Sequence, residues 1–311
     1  MESRTAFPLV AGLLGALLLL SPIARAQSAT PAQKMFPSAE AAAEALVSAA
    51  EKFDVESLRA LFGPEGIDLV VTEDAVQDRN QATEFAAQAR EKLVVAADPK
   101  NAKKATLIAG KGEWPLPIPI VKAGSAWRFD AVGGRREIFL RRIGRNELDA
   151  IQVCRGFVEA QHEYASEKRD GARLNQYAQK IISTPGKQDG LAWRNPDGTW
   201  GGPVGETIAH AIAEGYRDRY EPYHGYYFKV LKGQGPKAPL GELDFVVQGV
   251  MIGGFALVAA PADYEKTGVK TFLVSHDGVV WEKDLGPKTL EAFRAMERYN
   301  PDPTWSPVEA P

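Results

Sequence analysis

Apolar residues recur at helical spacing in Ala39, Ala43, Leu46, Val47, Ala50 and Phe53, which predicts a helix opened by Ser38. Asp54 has the character of an N-cap for a second short helix, Val55 to Phe62, stopped by Gly63-Pro64. A third helix is expected from about Arg79 to Ala96, ended by Asp98-Pro99. The pattern then shortens to strand-like runs at Ala105 to Ile108, Leu116 to Val121 and Ala126 to Ala131, separated by Gly-containing turns. Prolines 115, 117 and 119 remove alternate ladder donors, so the middle run has to be an edge or be paired on one side only.

After Gly133-Gly134, taken as a boundary, helical spacing returns in Arg135 to Arg142 and Asn146 to Lys168, with an interruption at Gly144. The longer stretch carries a wide stripe of Leu148, Ile151, Cys154, Phe157, Val158, Tyr164 and Ala165, which requires an extensive partner surface. Leu174, Tyr177, Ala178, Ile181 and Ile182 fit another helix, and Ile208, Ala211, Ile212 and Tyr216 a short one. Between these, Thr184 to Gly202 reads as a long Gly- and Pro-rich loop. Strand character follows in Tyr226 to Leu231, Val246 to Ala259, Val269 to Ser275 and Val279 to Lys283, with Asp277-Gly278 as a hairpin turn between the last two. Thr289 to Tyr299 closes the pattern as a helix. The expected class is α+β: a small domain over residues 37–132, then a long helix on a short antiparallel sheet over 133–299, with a Pro-rich tail at 300–311. The second arrangement resembles the head of type IV pilins, an analogy of architecture only.

The first 26 residues change the picture from fold to location. Arg4, the apolar run Leu9 to Leu20 and the small-x-small sequence Ala24-Arg25-Ala26 are the parts of a signal peptide, giving a mature chain that begins near Gln27 with a flexible leader to Phe36. The expected location is periplasmic or extracellular. The apolar run is short of the ~20 residues a membrane span needs, and no later stretch approaches that length. A formal net charge of −3 argues against nucleic acid as a partner. The single cysteine, Cys154, leaves no internal disulfide and is expected to be buried in the helix stripe.

Candidate chemistry is sparse. His162, His210, His224 and His276 show no paired helical spacing for a metal, there is no HExxH, and no cofactor motif is present, so none is expected. Neither a GxSxG elbow nor SxxK marks a nucleophile. Arg135, Arg136, Arg141, Arg142 and Arg145 offer forked donors for an anion, or else pair with neighbouring acids to join the two domains. Tyr216, Tyr220, Tyr223, Tyr226, Tyr227 and Phe228 crowd one segment, and Trp193 and Trp200 stand in the preceding loop; rings with a polar rim suit sugar or peptide surfaces. The binding candidates are therefore Trp193, Trp200, Tyr223, Tyr226, Arg141, Arg142 and Arg145.

Arg141-Arg142-Ile143-Gly144-Arg145-Asn146-Glu147-Leu148 and Ala160-Gln161-His162-Glu163-Tyr164 resemble the bacterial family known as domain of unknown function 2950 (DUF2950). Asp189-Gly190-Leu191 with Trp193, Gly225 to Leu231 with Gln234-Gly235, and Gly254 to Val258 through Lys283-Asp284-Leu285-Gly286 extend the likeness over nearly the whole mature chain. Members tend to have an aromatic residue where Ala192 stands. The resemblance implies an exported bacterial protein and supplies no catalytic residues. The expected function is a non-enzymatic interaction with an envelope protein, peptide or glycan through the aromatic loop. The alternatives are a hydrolase whose His162, His224 or His276 meets a carboxylate only on folding, and a small-ligand pocket in the first domain.

Overall fold

Ser38 accepts the Ala41 amide from its extended position and starts α1 (Ala39–Lys52) in the computed structural model, which describes residues 33–204 and 222–309. Asp54 caps α2 (Val55–Phe62) in the same way through the Ser57 amide. Asp74, not a residue near Arg79, caps α3 (Ala75–Glu91). This helix stops short of the expected Ala96, because Leu93, Val94 and Val95 belong to strand β1 (Leu93–Asp98), where the branched side chains fit a pleated surface. Asp98 and Pro99 make the turn into β2 (Asn101–Ala109), with the Asp98 carboxylate accepting the Lys100 and Asn101 amides. On its other side β2 pairs with β3 (Trp114–Pro115) and then with β4 (Ile120–Ala123), which in turn pairs with β5 (Ala126–Phe129). The proline-rich run between Pro115 and Pro119 thus divides one strand position into two pieces. The first is an edge piece paired on one side, as the missing donors require.

Residues 33–36 correct the flexible-leader expectation. The Gln33 amide donates to the Leu61 and Phe129 carbonyls at 2.8 Å each, and Phe36 exchanges backbone hydrogen bonds with Trp127. Residues 1–32, including the signal-peptide pattern, and the expected helix around Ile208 to Tyr216 lie outside the described residues.

Helix α4 (Ala131–Ala165) runs unbroken for 35 residues, about 52 Å, across the glycine pair taken as a boundary and the interruption expected at Gly144. Gly133 and Gly134 sit in its first turn: Asp130 accepts the Gly133 amide, and a Cβ on Gly134 would come within 2.7 Å of Ile118, so glycine here allows close packing and does not end the helix. At Gly144 the helical cost of about 1 kcal/mol is offset one turn later. The Asn146 amide donates to the Thr267 carbonyl, and Glu147 Oε1 accepts the Val269 and Lys270 amides.

Beyond α4 the expected helix over Leu174 to Ile182 is absent. Its central backbone is not helical and bonds elsewhere: the Tyr177 amide donates to the Met251 carbonyl, and both backbone groups of Ala178 bond the buried Gln161 side-chain amide. β6 (Lys180–Ile182) follows and pairs in parallel with β7 (Gly190–Arg194). Asp189 fixes this link by accepting the Thr184 amide at 2.7 Å, the Thr184 hydroxyl at 2.8 Å and the Lys180 ammonium at 2.8 Å. Burial opposes the charge on Asp189, yet these three donors outweigh it and hold the carboxyl below its usual value. A lowered folded-state pKa contributes stability that is present above about pH 4 and lost as pH falls through the folded value. Asp189→Asn should therefore destabilise the protein at neutral pH, with the gap to wild type closing in acid. Urea midpoints across the pH range check this, and a pH-independent gap would assign the loss to packing instead.

The supposed loop over Thr184 to Gly202 is largely a hairpin of β7 with β8 (Trp200–Gly201). The remaining chain builds an antiparallel sheet in the order β17, β16, β15, β14, β9: β9 (Tyr226–Leu231), β14 (Ala256–Pro261), β15 (Lys270–Ser275), β16 (Val280–Asp284) and β17 (Ser306–Pro307). Two small ribbons precede β14, β10 (Gly233–Gln234) with β11 (Leu243–Asp244) and β12 (Val246–Val247) with β13 (Val250–Met251), and the second divides the run expected as one strand over Val246 to Ala259. The closing helix α5 is short, Thr289–Ala295. The Pro-rich tail is ordered against the sheet: β17 pairs with β16, the Val308 amide donates to Val280, and Trp305 is buried.

The fold is α+β. Its buried apolar residues form two clusters, one drawn from residues 36–129 and one from 150–305, and α4 connects them. In the second cluster Ala150, Cys154, Phe157, Gln161 and Tyr164 face the sheet. Cys154 is fully buried there, and burial pushes its thiol up to about 12, so it stays protonated. No helix among the described residues is long and apolar enough to cross a membrane.

Candidate functional site

A cleft of about 380 Å³ opens along α4 where the helix passes β6, β7 and β14. The helix presents one face to it, with Asp149, Val153, Gly156, Ala160 and Glu163 following one another at three- and four-residue steps and Gln152 beside them. Val153, Phe157, Ile181, Leu191, Val204 and Leu257 make an apolar floor. Asp149, Gln152, Glu159, Glu163, Tyr223 and His224 make a polar rim.

His224 reaches the rim through a tight turn. Tyr223 and Tyr226 exchange backbone hydrogen bonds at 3.0 and 2.9 Å, and the two residues between them, His224 and Gly225, have φ of 47° and 76°, the φ signature of a type I′ turn. Glycine is required at 225 on a second count, because a Cβ there would lie 2.8 Å from both Asn146 and Thr267. The turn places His224 Nδ1 2.5 Å from Asp149 Oδ2, 75 residues earlier in the chain, while the imidazole stacks on the Tyr223 ring at 4.2 Å. When Nδ1–H donates to Asp149, Nε2 is the acceptor nitrogen of the neutral imidazole.

The other histidines divide. His162 and His276 both lie edge-on to Phe255, at 5.6 and 6.2 Å between ring centres, without a carboxylate partner among the described residues. His210 lies outside the described residues, as do Tyr216 and Tyr220.

Of the binding candidates, Tyr223 alone lines the cleft. Trp193, expected on an exposed loop, is only 8% exposed, with its ring under the Arg169 guanidinium at 4.8 Å. Gly201 and Gly202 leave room for that ring: a Cβ on either would lie within 3 Å of the indole. Those glycines, read as loop formers, are packing residues. Trp200 is half-buried and carries Arg194 over its face at 4.7 Å. Tyr226 is buried, with its hydroxyl donating to the Lys270 carbonyl, and burial raises its pKa. The aromatic loop surface of the sequence reading is thus largely core.

The arginines also separate. Arg135 pairs with Asp68, and Arg141 pairs with Glu137, donates to the Pro115 carbonyl and lies over Trp114, so both tie α4 to the first cluster. Arg142 and Arg145 are exposed, Arg142 over the Phe139 ring. None of the five lines the cleft among the described residues.

Asp149, Glu159 and Glu163 were not singled out by sequence. The available signal was Gly156: a glycine inside a helix costs about 1 kcal/mol relative to alanine, and here it is flanked by acids at helical spacing. Beyond its chain neighbours and the helix's own backbone, no described atom stands within 4 Å of the position its Cβ would take.

No curated protein and no solved structure matches the chain. A family model described as "Protein of unknown function (DUF2950)" matches residues 33–308. The chain belongs to this DUF2950 family.

Proposed function

We propose that this is an exported bacterial envelope protein that binds a ligand in the α4 cleft, rather than through the aromatic loop. The observation that carries this reading is the cleft's composition, an apolar floor with a polar rim, at a volume within the ~300–1,000 Å³ of small-molecule sites. Export rests on the leader pattern of residues 1–26. A thermal-shift screen of muropeptides, oligosaccharides, short peptides and alkyl compounds on the chain from Gln27 tests the binding reading. Compounds that use the cleft should raise the melting temperature of the wild type and leave a cleft-blocked Gly156→Phe variant unmoved. Hits that shift both proteins equally would overturn it.

The His224–Asp149 pair favours a second reading, hydrolysis. Nε2 could take a proton from water, the hydroxide would add to an acyl carbon, and the proton would pass to the leaving group. Among the described lining residues there is no Ser, Thr or Cys for the imidazole to activate, and this reading takes water as the nucleophile. Turnover of p-nitrophenyl butyrate that disappears in His224→Gln, with the fold retained, would carry this reading over the first.

A further inference from the structure

We infer that the cleft selects amphipathic amines: ligands with an aliphatic or aromatic body and a protonated amino group at one end. The inference rests on the cleft being a binding site and goes further, to the chemistry of the occupant. Its basis is an imbalance of charge around an apolar floor. Asp149, Glu159 and Glu163 contribute carboxylates, whereas among the described residues no Lys or Arg lines the cleft. Asp149 is engaged by His224. Glu159 and Glu163 form no ion pair among the described residues. Arg145, the arginine nearest in sequence to Asp149, is exposed and does not line the cleft; Arg169, beyond Glu163, pairs with Glu167; and Arg155, one turn before Glu159, is not among the lining residues.

Two carboxylates with no ion pair among the described residues, at the mouth of an apolar cleft, repel an anionic end group and attract a cationic one, and the low-dielectric floor beneath them reduces solvent screening. The floor side chains, Phe157 and Leu257 among them, take the body of the ligand. Gly156, with open space where a side chain would project, lets that body lie close to the helix backbone.

The test compares octylamine, octanol and octanoate, which share one chain and differ in end charge. Binding is measured by titration calorimetry at neutral pH and low salt, on the wild type, on Gly156→Phe and on a Glu159→Gln/Glu163→Gln double variant. Octylamine should bind the wild type about tenfold more tightly than octanoate, equivalent to ~1.4 kcal/mol, with octanol between them. The double variant should lose that preference while its octanol affinity stays unchanged, and Gly156→Phe should bind none of the three. If octanoate or octanol binds the cleft as tightly as octylamine, the amine preference is overturned and the cleft reading stands. If none binds, or if Gly156→Phe binds them all as well as wild type, both fall.

Discussion

Trp193→Ala is expected to cost about 3–5 kcal/mol of unfolding free energy, the range for truncating a buried aromatic side chain. The indole fills the space left by Gly201 at the end of β8 and Gly202 just after it, and lies under Arg169, which also covers the Tyr164 ring at 5.0 Å. Alanine leaves a cavity that glycines cannot fill and removes one wall from a guanidinium that is itself largely buried. Trp200→Ala, at a half-buried position on the partner strand, should cost clearly less. Urea denaturation of the two variants side by side measures the difference. Equal and small losses would mean that the indole of Trp193 is not part of the core.

Gln161→Leu is expected to be nearly as damaging although it adds apolar surface to a buried site. The Gln161 side chain is fully buried and satisfies both backbone groups of Ala178, donating to its carbonyl and accepting its amide at 2.8 Å each. Leucine fills a similar volume but leaves a donor and an acceptor unpaired, at about 1–3 kcal/mol each. The loss should therefore lie at about 2–6 kcal/mol. Exchange of the Ala178 amide should accelerate ahead of the sheet amides. Unchanged protection of that amide would show that the segment is held by other means, such as the Tyr177 bond to Met251.

These two residues also show where reading the sequence stops working. Ser38, Asp54 and the Asp277-Gly278 turn act through neighbours a few positions away, and the elements they announce are where they were expected. The pattern at Leu174, Tyr177, Ala178, Ile181 and Ile182 satisfies helical periodicity equally well, yet the backbone there is claimed by a side chain on α4, 17 residues back. Gly201 and Gly202 carry the same local signal as a loop and are explained only by the ring packed on them. Glycines 133, 134 and 144 mislead for a related reason: capping, close approach and tertiary hydrogen bonds offset a propensity that alone would end a helix. The candidate site is the least legible part. His224 was one of three histidines open to a carboxylate, and the partner that decides among them, Asp149, is brought to it by a turn and a helix 75 residues apart.

The pairing of β17 with β16 has a consequence for self-association. Without it, β16 would present its outer backbone donors and acceptors to solvent, in a sheet whose central strands β14 and β15 are almost wholly buried and apolar. Such an edge recruits other chains. The covering strand is two residues long and one of them is Pro307, which has no amide to donate, so it occupies the β16 edge while offering a poor template itself. Lys283, reaching from β16 to the Thr304 hydroxyl and over the Trp305 ring, adds a charge at the same margin. The tail thereby covers the β16 margin of the sheet against edge-to-edge pairing with another copy, a safeguard against fibrous aggregation at that edge.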